Sequence, residues 1–119
     1  MSTTVHRTMR PLSVVAALLL VLLTLGSGAA LADPGNGKGA VITLDGEIIA
    51  EARNAMRGTL DPTAHAEMVA IRHAATRLGQ ARLDHCTLWV TLEPCAMCAA
   101  AIGLARIAEL RFAAEDPKG

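Results

Sequence analysis

From Gly39 onward the chain alternates between two kinds of apolar pattern. "AVITL" (40–44) and "EIIAEA" (47–52) are short apolar runs flanking Asp45 and Gly46, the residue pair best suited to a two-residue hairpin turn. "RNAMRGTLDPT" follows without a sustained period and reads as a loop. From about Ala64 to Leu78, Met68, Ile71, Ala75 and Leu78 recur at intervals of three and four, which predicts a helix with Asp61 as its N-cap and Pro62 in its first turn. "CTLWVTL" (86–92), β-branched and apolar on both faces, reads as a buried strand. "PCAMCAAAIGLAR" (94–106) reads as a second helix and "ELRFAA" (109–114) as a further strand. The order β-β-α-β-α-β predicts an α/β domain with about four strands, its later strands parallel and joined by crossover helices.

The start of the chain has a different pattern. No residue between Arg10 and Asp33 is charged, and "LSVVAALLLVLLTL" is followed by the small-residue stretch "GSGAALA". This is the layout of a secretory signal peptide, with Ala30 and Ala32 as an A-x-A cleavage site. The 22 uncharged residues also suffice for a single membrane anchor, and a third account makes the segment an artefact of a shifted reading frame. The expected organisation is therefore a leader or anchor over 1–32, a glycine-rich joint over 33–38, and the folded domain over 39–119.

Charge and composition narrow the function. The full chain of 119 residues balances 11 basic against 11 acidic side chains, and beyond Ala32 the formal charge is minus two. No basic stripe marks a nucleic-acid surface, and Trp89 and Phe112 are too few for a stacking platform. Cys86, Cys95 and Cys98 are odd in number, and a two-residue gap favours metal or redox use over a structural disulfide. The cysteines thus argue for a reducing compartment or a metal, against the apparent export signal.

Two stretches carry chemistry. In "PTAHAEMVAIR" (62–72), His65 and Glu67 would sit about 200° apart within a regular helix, so they share a target only at a helix start. In "EPCAMC", Cys95 and Cys98 lie on one face near the positive end of a helix dipole, which favours thiolates. Two thiolates and one imidazole make three zinc ligands, the catalytic count, which leaves a position open. Cys86 reads as a buried small hydrophobe, and His6, His73 and His85 as surface or packing residues. Glu67, otherwise only a first-turn partner of the helix dipole, becomes a candidate proton shuttle beside the open position.

"HAE" (65–67) with "PCAMC" (94–98) resembles the H-x-E and P-C-x-x-C signature of the zinc-dependent nucleoside and base deaminases. "DPTAHAEMVAIR", "LWVTLEPCAMCAAAI", "LARI" and "DPKG" look like bacterial tRNA-specific adenosine deaminases, which convert the wobble adenosine of an anticodon to inosine. The resemblance covers about Gly39 to Gly119. It implies a cytidine-deaminase-like three-layer α/β fold, zinc held by His65, Cys95 and Cys98, and a proton moved by Glu67. It also implies substrate contacts from Asn54 and the backbone amides of Ala66 and Cys95, and a cytoplasmic homodimer acting on a tRNA anticodon loop. Met56 and Arg57 fall in the loop where relatives contact substrate, without a matching motif. The sequence departs from the family at both ends: "PGNGKGA" replaces an "EVPVGA"-like approach, and the chain stops after "DPKG", where relatives continue into helices that hold tRNA. Three readings therefore compete: a truncated tRNA adenosine deaminase, a deaminase of free guanine, cytosine or a nucleoside, and a zinc-stapled remnant without activity. Membrane contact is expected only if the apolar segment is retained.

Overall fold

In a computed structural model the described residues are 3–6 and 37–117. Five strands form one sheet: β1 (Thr4–His6), β2 (Gly39–Leu44), β3 (Glu47–Arg53), β4 (Cys86–Leu92) and β5 (Glu109–Ala114), in the spatial order β1-β5-β4-β2-β3. Among the described residues the helical elements are a single turn, α1 (Met56–Thr59), and two longer helices, α2 (Ala66–Leu78) and α3 (Ala96–Leu104).

The hairpin forms where the Asp-Gly pair predicts it. Asp45 and Gly46 both have positive φ (50° and 81°), the backbone that a tight turn with the strands' own twist requires. β2 is antiparallel to β3 and to β4, and β4 is parallel to β5. The predicted parallel crossovers are thus present, with α3 linking β4 to β5 and α2 carrying the chain from β3 over β2 to β4. A bulge interrupts the hairpin: Ile42 pairs with Ala50 but Thr43 with Ile48, so Ile49 has no partner across the ladder. The Arg77 guanidinium, at the last turn of α2, donates to the carbonyls of Ile48 and Ile49 (3.4 and 3.2 Å) and ties the bulge to the helix.

Both longer helices contribute to one core on one sheet face. Ala40, Ile42, Ala50, Ala52, Leu88, Val90, Leu110 and Phe112 project from the strands toward Ala66, Ala70 and Ala74 of α2 and Ile102 of α3. The described residues supply two layers of the expected three-layer arrangement, the sheet and the helices on this face. On the opposite sheet face, Trp89 Nε1 donates to Thr43 Oγ1 (2.9 Å), and the Arg111 guanidinium lies 5.1 Å over the Trp89 ring while pairing with Glu109.

Several expectations need correction. Asp61 and Pro62 do not start α2: the helix begins at Ala66, with His65 as its N-cap at φ −65°, ψ 154°. Asp61 Oδ1 instead accepts from the Thr63 N–H and hydroxyl (2.8 and 2.7 Å), closing a local turn ahead of the helix. Pro94 likewise precedes α3, whose N-cap is Cys95, and the helix ends at Leu104, short of the expected Arg106. The stretch read as a loop contains α1. The buried stripe of α2 is Ala66, Ala70 and Ala74, with Ile71, Ala75 and Leu78 flanking it, because small side chains at the centre let the helix approach the sheet closely. Thr4–His6, assigned from sequence to the leader, pairs in parallel with β5, so the strands among the described residues number five, where about four were expected. Residues 7–32 of that segment lie outside the described residues. Among the described residues no helix is long and apolar enough to cross a membrane.

Candidate active site

The two motifs meet because two helices start at one place. His65 and Cys95 occupy equivalent positions, each the extended N-cap residue of its helix (ψ 154° and 173°), and neither side chain caps its own helix. Neither side chain is spent on a cap, and the two meet each other instead. Cys98, in the first turn of α3, joins them from within the helix. His65 Nδ1 lies 3.6 Å from Cys95 Sγ and 3.6 Å from Cys98 Sγ, and all three donor atoms fall within 4.8 Å of one another.

These separations fit a metal. Zn–N bonds of about 2.0–2.1 Å and Zn–S bonds of about 2.3 Å at a tetrahedral angle put nitrogen and sulfur roughly 3.5 Å apart. Electrostatics agree with this. Burial pushes the Cys98 thiol far above its usual range, and the nearby Glu67 carboxylate pushes it in the same direction, so a thiolate here calls for a cation. The N-terminal ends of α2 and α3 add partial positive charge at the same point. Three donors from an imidazole and two thiols suit zinc with one position left for water or substrate.

The cavity beside this group is lined by Asn54, His65, Ala66, Glu67 and Cys95, together with Lys38, Gly39, Thr91, Leu92, Glu93 and Asp116. It is a small cleft open to solvent, with about 70 Å³ of room for water-sized atoms. Asn54 is the one buried polar residue among the described residues, 8% exposed. The Asn54 N–H donates to the Lys38 carbonyl (3.4 Å), and the next residue, Ala55, donates to the Ala64 carbonyl (2.9 Å), which fastens Asn54 to the segment that delivers His65. The first N–H groups of α2 have no acceptor inside the helix, so the Ala66 amide at the cavity wall is available to a ligand.

The sequence-derived group of Asn54, His65, Ala66, Glu67, Cys95 and Cys98 is thus brought together in one place. Cys86 is buried at the head of β4, its thiol pushed up by burial and by the Asp45 and Asp84 carboxylates, away from the metal group. His73 is exposed on α2. Met56 and Arg57 do not line the cavity. Sequence reading missed Lys38, Thr91, Glu93 and Asp116. Of these only Glu93, directly before the Pro-Cys pair, carried a positional hint.

A sheet with two helix starts bringing together an imidazole and two thiols, with a carboxylate in the adjoining cavity, defines an α/β domain with a candidate zinc site. Residues 16–114 match the family described as the cytidine and deoxycytidylate deaminase zinc-binding region, and the chain belongs to that family. It is 57% identical over 81 residues to a tRNA-specific adenosine deaminase of Agrobacterium fabrum, an alignment covering 68% of this chain and 53% of that protein. Two solved structures are also similar. One comes from studies of A-to-I editing by tRNA:A34 deaminases at the wobble position (TM-score 0.68, 55% identity, 70% of this chain and 64% of that one). The other is guanine deaminase from Bacillus subtilis (TM-score 0.73, 42% identity, 90% of this chain and 66% of that one). The chain spans about half the length of the curated relatives it matches.

Proposed function

We propose that residues 39–119 carry a zinc-dependent hydrolytic deaminase site whose substrate is adenosine at the wobble position of tRNA, converted to inosine. The observation that supports this most directly is the convergence of His65, Cys95, Cys98 and Glu67 on one cavity, in a chain with 57% identity to a tRNA-specific adenosine deaminase. In this reading His65 Nδ1 and the two cysteine sulfurs hold the metal. When bound, zinc supplies the Lewis acidity that brings a water's proton loss within reach of neutral pH. The Glu67 carboxylate takes the proton of the attacking water and returns it to the exocyclic amino nitrogen, which leaves as ammonia. Asn54 and the Ala66 amide orient the base, and their burial keeps competing water from those hydrogen bonds.

We further infer a homodimer in the cytoplasm. The outward side of α3 shows Ala96, Ala99, Ala100, Gly103 and Leu104 to solvent without a charge, a surface suited to a second copy. The three free cysteines suit a reducing compartment.

The test is inosine formation in an anticodon stem-loop RNA by the zinc-loaded chain. Glu67→Gln should lower turnover by about 10²–10⁴-fold with zinc content unchanged, since it removes the proton carrier and leaves the ligands. A second reading, deamination of free guanine, is favoured by the Bacillus subtilis structure, which aligns with 90% of this chain. Turnover of guanine without turnover of the RNA would decide for it.

A further inference from the structure

The cavity is lined in part by Glu93 and Asp116, residues to which the proposed reaction gives no role. Asp116 is half-buried between two exposed neighbours, Glu115 and Pro117, so the chain leaving β5 turns back toward the cavity. Glu93 reaches that segment twice. Its backbone N–H donates to the Ala114 carbonyl (2.8 Å), extending the β4–β5 pairing past the Leu92–Ala114 register. Its carboxylate Oε2 accepts the Asp116 N–H (3.4 Å). The same residue directly precedes Pro94 and Cys95, so the segment after β5 is fastened to the strand end that delivers a metal ligand.

We propose that Glu93 is a positioning residue. Its carboxylate latches the Glu115–Asp116 segment beside the cavity, so that Asp116 is held in the lining against which substrate docks. The carboxylate bond is the longer of the two ties at 3.4 Å, and the 2.8 Å backbone bond to Ala114 holds the segment within its reach. The latch touches neither His65 nor Glu67, so its loss weakens substrate binding and spares the chemical step. The kinetic part rests on the deaminase reading above; the geometric part does not.

The experiment compares zinc-loaded wild type, Glu93→Ala and Glu93→Gln as full chains. Amide hydrogen exchange at Asp116 reports the latch, and anticodon stem-loop kinetics report its use. In Glu93→Ala, exchange at Asp116 should quicken about tenfold, as expected for losing one bond to a charged acceptor. In the same variant KM should rise roughly five- to tenfold with kcat within about twofold and zinc retained. Glu93→Gln keeps an oxygen that accepts the same bond and should restore most of both. Should Glu93→Ala not fold, Glu93→Asp, one methylene shorter, makes the same comparison. Unchanged exchange at Asp116, a Gln variant as impaired as Ala, or a fall in kcat at constant KM would each overturn the latch. Absence of wild-type turnover on any nucleic acid or base would defeat the proposed function alone, since the exchange measurement still decides the latch.

Discussion

Asp61 shows how one side chain shapes the approach to the metal group. Its Oδ1 accepts two hydrogen bonds from Thr63, and the Arg72 guanidinium stands 3.7 Å from Oδ2. The Thr63 hydroxyl first and then the Thr63 amide hold its carboxyl below the usual carboxylate range, outweighing an opposing effect of burial, with Arg72 adding the least. A folded-state value below the unfolded one means the turn's contribution is fully present above about pH 4 and is lost as pH falls through the lowered value. The melting-temperature difference between wild type and Asp61→Ala should accordingly be larger at pH 7 than at pH 3; a difference independent of pH would show that the carboxylate charge does not matter. The two N-cap positions make a related point. Histidine and cysteine are poor caps by propensity, and their occurrence at His65 and Cys95 is explained by the metal group, for which an extended residue at a helix start is the right platform.

At the scale of elements, α2 is held to the sheet by small residues. Ala70 and Ala74 are fully buried against β2 and β3, and a larger side chain there must push the helix away from the strands that carry Asn54. Ala70→Leu should cost about 1–3 kcal/mol by overpacking, read as a lowered urea midpoint at constant slope. The same leucine at exposed His73, one turn on, should stay within about 0.5 kcal/mol. The alanine stripe also explains why the sequence pattern pointed to a slightly wrong face. Periodicity weights Met68, Ile71 and Leu78 because they are large, whereas close helix–sheet packing selects for small volume at the centre of the contact. The one-turn helix α1 escaped for a different reason: four residues give no period to detect.

For the molecule as a whole, the metal group joins the two crossover connections. His65 comes from the start of α2 and both cysteines from the start of α3, 30 or more residues away in sequence. Zinc bound to the folded chain alone would add about 2.7 kcal/mol at a free concentration a hundred times its Kd, and in a domain of this size each kcal/mol moves the midpoint by roughly 4–8 °C. Scanning calorimetry with and without a chelator should show that drop in wild type and none in Cys98→Ala. A chelator without effect on wild type would place no metal at this group.

The sequence by itself determined the hairpin, because Asp45-Gly46 encodes its own turn, and the members of the candidate site, because His65, Glu67, Cys95 and Cys98 are metal-binding and acid-base residue types at spacings suited to helix starts. Those signals are local and survive without knowledge of the rest of the chain. Tertiary structure alone decided that Thr4–His6 lies on the outer edge of β5, that Asn54 is buried beside His65, and that Asp116 returns to the cavity through Glu93. Each of these depends on pairing between segments tens of residues apart, and no short-range pattern of apolar and polar positions records which distant edge or carbonyl a residue will meet.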